Sequence, residues 1–131
     1  MIRDVFMRFP GGAAKVFTLS YDDGIVYDKP LVEMFNKYHV KGTFNLNSDG
    51  IVKAGENPNS GKRPRLNLHQ LTELFEGTEH EIAVHTCNHP SLAAIPQASA
   101  VSQIVNDREM LEKMFGRIIR GMAYPNGTWA V

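Results

Sequence analysis

The sequence has a single cysteine, no excess of charge of either sign and no apolar run of membrane length. Cys87 alone can form no internal disulfide, which agrees with a reducing compartment. Lys plus Arg (14) balances Asp plus Glu (14), so no basic field recruits nucleic acid, and a neutral substrate is expected. No segment has the roughly 20 apolar residues of a membrane span, and the first residues lack the apolar core of a signal peptide. We therefore expect the chain as given to be cytoplasmic, without a nucleic-acid partner; the location of any longer parent protein stays open.

The 131 residues suffice for one domain with one core, whereas a closed (β/α) barrel takes about 250 residues. Apolar and β-branched runs predict four strands, at 15–20, 43–47, 81–85 and 117–124. Apolar residues at helical spacing predict three helices: one capped by Asp28, one at 68–75 capped by Asn67, and one at 97–115. Residues 48–66 are rich in Gly, Asn and Pro and are predicted to form a long surface excursion. The alternating order indicates an α/β fold with parallel strands.

Polar motifs follow three of the predicted strands. They are Asp22-Asp23-Gly24, the segment from His85 to His89, and Tyr124-Pro125-Asn126. Because ligand sites in parallel α/β folds gather at the carboxyl ends of the strands, we expect the three motifs to converge.

One Asp and the two histidines supply three ligands, the number that a catalytic metal site keeps beside an open position. Pro90 disfavours a helix at His89, so both histidines are placed on a loop. Consecutive side chains of an extended segment point to opposite sides, so one of the two Asp is expected to be a ligand and the other a base. Each motif alone is as well explained by a turn or a surface residue, and only their convergence favours a metal site.

The motifs also resemble those of a known family, the polysaccharide deacetylases of carbohydrate esterase family 4. The matching segments, in order, are Thr18-Leu19-Ser20-Tyr21-Asp22-Asp23-Gly24, Gly42-Thr43-Phe44-Asn45 and His80-Glu81-Ile82-Ala83-Val84-His85-Thr86-Cys87-Asn88-His89-Pro90. The resemblance implies a distorted (β/α) barrel and a hydrolase that removes N- or O-linked acetyl groups from a carbohydrate.

The resemblance also implies roles for individual residues. Asp22 would be the general base, and Asp23, His85 and His89 would bind a divalent metal that activates the water nucleophile. Zinc is the expected metal, with cobalt, nickel and manganese open. The oxyanion would be held by a backbone N–H of Asn126, in the segment that also contains Tyr124 and Pro125.

The sequence departs from the family pattern in two places. The Arg-x-Pro-Tyr motif appears as Ala123-Tyr124-Pro125-Asn126, without its arginine and final tyrosine, and the Leu-x-His segment of the general-acid histidine is missing. We therefore expect residues 1–131 to be the N-terminal portion of a catalytic domain, a partial barrel of about four parallel strands. Such a piece would be poorly active alone, and its open sheet edges would favour self-association.

Two other functions stay open. One is a non-catalytic metal- or sugar-binding relative of the deacetylase fold, which the departures from the motif favour. The other is a receiver-type signalling domain, in which an acidic pair after the first strand binds a cation, although His85 occupies the place of its phosphoacceptor. Chitin oligomers, peptidoglycan and acetylated xylan are equally compatible with the predicted chemistry.

Overall fold

The computed structural model describes residues 8–56 and 63–127 and has an α/β fold, as predicted. Three parallel strands form one sheet in the order β1 (Ser20–Asp22), β2 (Thr43–Leu46) and β3 (Glu81–Val84). Asp22 pairs with Asn45, and Leu46 pairs with Val84. The register therefore brings the carboxyl ends of all three strands to the same edge of the sheet.

The core lies around the central strand β2. Phe44 and Leu46 are fully buried, and Asn45 between them is also buried, because a central parallel strand is covered on both faces. Phe44 packs against the rings of Tyr21 and Phe75, with ring centroids 5.8 and 5.0 Å away. The strand is thus a rigid support for the side chains that follow it.

The described part of the chain contains four α-helices: α1 (Asp28–Lys37), α2 (Ser48–Glu56), α3 (Leu68–Phe75) and α4 (Gln97–Phe115). The predicted bounds of α3 and α4 are confirmed. Asn67 caps α3 in a capping box, in which its side chain accepts from the Gln70 N–H and the Gln70 side chain accepts from the Asn67 N–H. Gly116 ends α4 in the left-handed conformation, with φ 63°.

The first predicted strand was placed too early. The structure has an exposed segment there, with Val16 and Phe17 56% and 84% exposed, and β1 begins only at Ser20. Ser20 pairs with Thr43, the first residue of β2, and the Leu19 carbonyl oxygen accepts from the Thr43 N–H. Among the described residues, the part of the apolar run before Leu19 has no β2 partner. Strand formation here follows from the available partner, and apolar composition alone mislocated it.

The role predicted for Asp28 as a cap of α1 was also wrong. Tyr27 occupies the N-cap position without a side-chain hydrogen bond, and Asp28 lies in the first turn, buried, with 4% of its surface exposed. The sequence gives no sign that this carboxylate is covered, since burial depends on how α1 docks on the sheet.

Residues 48–66 are not simply an irregular excursion, because they contain α2. Backbone N–H groups at its start are satisfied from distant residues: Ser48 donates to the Asp107 carboxylate and Asp49 donates to the Cys87 carbonyl. Ile51 and Ala54 are buried and anchor one face. Gly50 and Gly55 obscured this helix in the sequence, and residues 57–62 lie outside the described part.

The predicted fourth strand is reduced to a single parallel bridge, between Val84 and Met122. Three residues before Met122, the backbone N–H of Ile119 donates to the Glu112 side chain on α4 and not to β3. The segment therefore pairs with the sheet only near its end. In the described residues the partial barrel thus consists of three strands and this bridge. No helix in the described ranges is long and apolar enough to cross a membrane.

Candidate functional site

The structure brings the three predicted metal ligands together. Atoms of Asp23, His85 and His89 that could bind one metal ion all lie within 4.8 Å of one another. Asp23 follows β1 and the histidines follow β3, so the parallel register of the sheet assembles them from positions far apart in the sequence. The imidazole rings of His85 and His89 meet edge to face, with centroids 4.8 Å apart.

His85 is fixed in an orientation suited to a metal. Its Nδ1 lies 3.0 Å from the Ala123 carbonyl oxygen, which only accepts, so Nδ1 is assigned as the protonated nitrogen. Its Nε2 is buried and has no hydrogen-bond partner within residues 8–56 and 63–127. A buried lone pair without a donor, beside a carboxylate and a second imidazole, is the donor set of a divalent metal such as zinc. The residues present therefore fit the metal that the sequence implied.

The loops that carry the ligands adopt unusual backbone conformations. Asp23, Thr86 and His89 have positive φ, at 83°, 69° and 60°, a region that non-glycine residues seldom adopt. The turn at Asp23 brings its carboxylate to the same side as that of Asp22, so the two lie 3.7 and 3.9 Å from imidazole nitrogens of His89 and His85. These two distances are nearly equal and do not separate a ligand from a base, so the expected division between the Asp side chains stays a prediction. The argument from opposite sides of an extended segment does not apply, because the backbone at Asp23 is not extended.

Asp22, the predicted base, is half exposed and held by Asn45. The Asn45 Nδ2 donates to Asp22 Oδ1 at 2.7 Å and lies 2.8 Å from Ser20 Oγ. Asp22 Oδ2 is left facing His85 Nε2 at 3.9 Å. Asn45 therefore orients the carboxylate.

Two residues at the site, Arg65 and Asn47, make contacts that the sequence did not reveal. Arg65 forms an ion pair with Asp23, with 3.1 Å between Nη2 and Oδ1, and also donates to the Asp23 carbonyl oxygen. Its Nη1 donates to Asn47 Oδ1 at 2.8 Å, and Asn47 in turn donates to the carbonyl oxygens of His85 and Thr86. Arg65 lay in the segment predicted as a surface excursion, so its sequence position gave no signal.

Asp107 is a third residue whose contacts the sequence did not reveal. It lies in α4 with its side chain fully buried, and its carboxylate accepts from the backbone N–H groups of Ser48 and His85 at 2.8 and 3.0 Å. Burial raises the pKa of Asp107, while the hydrogen bonds from Ser48 and His85 act in the opposite direction. A charged residue in the middle of a helix is normally expected to face solvent, so the sequence did not reveal that Asp107 is buried.

The segment predicted to stabilise an oxyanion lies beside these residues. Ala123 donates to the Val84 carbonyl and accepts from His85, so it joins the segment to β3. Pro125 is buried, Tyr124 is 62% exposed, and Asn126 has φ 61°. The oxyanion role of the Asn126 backbone N–H stays a prediction.

Comparisons with known proteins show which family the chain is similar to. A family model described as polysaccharide deacetylase matches residues 10–131. The chitin deacetylase of Colletotrichum lindemuthianum is 26% identical over 110 residues, which cover 82% of this chain and 40% of that protein.

Solved structures show the same fold. The Streptococcus pyogenes deacetylase PplD in complex with acetate has a TM-score of 0.73 at 24% identity, covering 90% of this chain and 49% of that one. The peptidoglycan deacetylase PdaC from Bacillus subtilis has a TM-score of 0.63 at 21% identity, covering 88% and 52%. The chain thus spans about half the length of these relatives or less. With the family model matching nearly its whole length, the chain belongs to the polysaccharide deacetylase family, carbohydrate esterase family 4.

Proposed function

We propose that the chain carries a metal-dependent hydrolytic site for removing N- or O-linked acetyl groups from a carbohydrate. The observation that carries the proposal is the grouping of Asp23, His85 and His89 within 4.8 Å, with a fourth side chain, Asp22, 3.9 Å from His85. In this proposal Asp23, His85 and His89 hold a divalent ion, for which zinc, cobalt, nickel and manganese are all suitable. When bound, such an ion polarises the acetyl carbonyl and lowers the pKa of water.

Asp22 is the proposed general base. Asn45 occupies its Oδ1, so Oδ2 is the oxygen available to take a proton from the attacking water. The side chain is 51% exposed, which leaves it accessible to water and substrate. The attack turns the acetyl carbon tetrahedral, and the backbone N–H of Asn126 is the proposed donor to its oxygen.

Collapse of that intermediate breaks the C–N or C–O bond, and the leaving atom needs a proton. None of the five histidines lies two residues after a leucine, so the family's Leu-x-His segment is absent from this sequence. We therefore propose that the general acid is not supplied by this chain and that its own turnover is slow. The receiver-type alternative finds no support in the family membership.

Metal content and acetate release test the proposal together. Purified wild type should hold about one zinc per chain, Asp22→Asn should hold the same amount, and Asp23→Ala and His85→Ala should each weaken zinc binding by at least tenfold. Acetate released from chitin oligomers, peptidoglycan fragments or acetylated xylan should fall strongly in Asp22→Asn, because the amide cannot accept a proton.

The controls separate the alternatives. A wild type that binds zinc and saccharide but releases no acetate, even when assayed within its complete reading frame, would support the non-catalytic relative. Zinc binding that is unchanged in both Asp23→Ala and His85→Ala would refute the ligand assignment.

A further inference from the structure

Arg65 makes several contacts near the predicted metal ligands, more than a solvent-exposed arginine would make. Its guanidinium reaches both the carboxylate and the carbonyl oxygen of Asp23, and it also donates to Asn47. The side chain is largely buried, with 27% exposed. One planar group therefore holds three oxygens at once, which is the geometry that arginine provides and lysine does not.

Asn47 extends these contacts to the other ligand loop. It is buried, and its amide donates to the carbonyl oxygens of His85 at 2.6 Å and Thr86 at 3.0 Å. Arg65 and Asn47 thus form a continuous link from Asp23, after β1, to His85, after β3.

The position of Arg65 is itself fixed. The backbone on both sides of it pairs with the loop after β1, since Val26 N–H donates to Pro64 and Leu66 N–H donates to Gly24. Its side chain also lies against Gly50 of α2. A Cβ built at Gly50 would lie 2.8 Å from Arg65 Nη1 and 3.1 Å from Cζ, so any larger residue there would displace the guanidinium.

We propose that Arg65 is a positioning residue for the divalent metal: it holds the carboxylate of Asp23 in place and, through Asn47, the loop of His85. The inference rests on the proposed metal site. The positive φ of Asp23 explains why such a link is needed: that backbone conformation is unfavourable by itself and requires contacts that maintain it.

Charge and geometry predict opposite effects on metal binding. A guanidinium beside a dication opposes binding by Coulomb repulsion, so removing the charge would strengthen it. A positioning role predicts weaker binding whenever the three contacts are broken. Arg65→Lys separates the two effects, because it keeps the charge but presents a single ammonium in place of the planar fork.

The experiment measures Zn²⁺ affinity by competition with a chromophoric chelator, well below the thermal midpoint of each variant. We expect Arg65→Lys and Gly50→Ala to weaken Zn²⁺ binding about 10- to 100-fold, the range seen when partners of metal ligands are removed. Gly55→Ala is the matched control: it is the same change in the same helix, with no described residue within 4 Å of the added Cβ, and its Zn²⁺ affinity should equal that of wild type. Gly50→Ala retains the arginine and its charge, so it tests the inference even if Arg65→Lys does not fold.

The outcomes are distinct. Wild-type Zn²⁺ affinity in both Arg65→Lys and Gly50→Ala, even with lowered thermal midpoints, would assign Arg65 a structural role only and overturn the inference while leaving the proposed function standing. Failure of the wild type itself to bind Zn²⁺ would overturn both.

Discussion

Asp28 should make the metal-free protein less stable at neutral pH than at mildly acidic pH. The pKa of its carboxyl is raised from 3.8 to about 6, mainly by burial, with the charges of Asp23 and Asp22 acting in the same direction and a hydrogen bond from the Ile25 backbone acting against them. Its Oδ2 is buried and has no hydrogen-bond partner among the described residues. The charged form is therefore unfavourable in the fold.

The sign follows from proton binding. Between pH 3.8 and 6 the folded state holds a proton on Asp28 that the unfolded chain has lost, so this contribution to stability is present below about pH 3.8 and is lost as the pH rises through about 6. The full shift in pKa corresponds to a loss of about 3 kcal/mol in the free energy of unfolding above pH 7. A neutral residue at this position should recover only part of that stability. The charged site can relax, and the neutral residue loses the attraction between the carboxylate and the start of α1, so we expect a gain of about 1 to 2 kcal/mol.

The variant that tests this is Asp28→Asn, which keeps the acceptor for Ile25 and removes the charge. Its free energy of unfolding, measured by urea titration with a chelator present, should exceed that of wild type by about 1 to 2 kcal/mol at pH 8 and by roughly half as much at pH 5, where the unfolded carboxyl is already ionised. Glu33→Gln removes an equal charge from an exposed position of α1 and should show no such change with pH. The reasoning is refuted if Asp28→Asn is no more stable than wild type at pH 8, or if its advantage is the same at both pH values.

Three further predictions concern stability. Asp107→Ala removes the acceptor of the buried Ser48 N–H and one of the two acceptors of the His85 N–H, which also donates to the Leu46 carbonyl oxygen. It should lower the free energy of unfolding by about 1 to 3 kcal/mol in urea titrations, and an unchanged free energy would contradict the role of its carboxylate. Asn67→Ala removes the capping box and should cost about 1 kcal/mol by the same measurement, with an unchanged midpoint as the contrary result. Burial lowers the pKa of His80, whose neutral ring accepts a hydrogen bond from the Gly42 N–H. The stability that the neutral ring contributes to the fold is therefore present above about pH 6.5 and is lost as the pH falls below it. The stability of His80→Gln should therefore fall less than that of wild type between pH 6.5 and 5.5, and equal slopes would argue against it.

The sequence predicted the parts of this protein that depend on local patterns. The bounds of α4 and the Asn67 cap follow from nearby residues, and the ligand grouping follows from the rule that strand ends share an edge. The placement of β1 failed, because a strand begins where a partner is available, and α2 was missed, because its first N–H groups are satisfied by Asp107 and Cys87 from distant segments.

The missed contacts at the site have the same physical origin. Asn45, Asn47, Arg65 and Asp107 act on residues 18 to 59 positions away, and each is an ordinary polar residue in its own segment. Their burial and their partners appear only once the helices dock on the sheet. The self-association expected from open edges stays a prediction: among the described residues β1 pairs only with β2, and light scattering over a range of concentrations would test it.

The order of the strands also has a consequence for how the protein is made. Because β2 lies between β1 and β3, no two adjacent strands bring Asp23 and His85 together until all three have paired. Metal binding should therefore be a late event in folding, and the visible absorption of Co²⁺ would time the completion of the sheet in a stopped-flow refolding experiment.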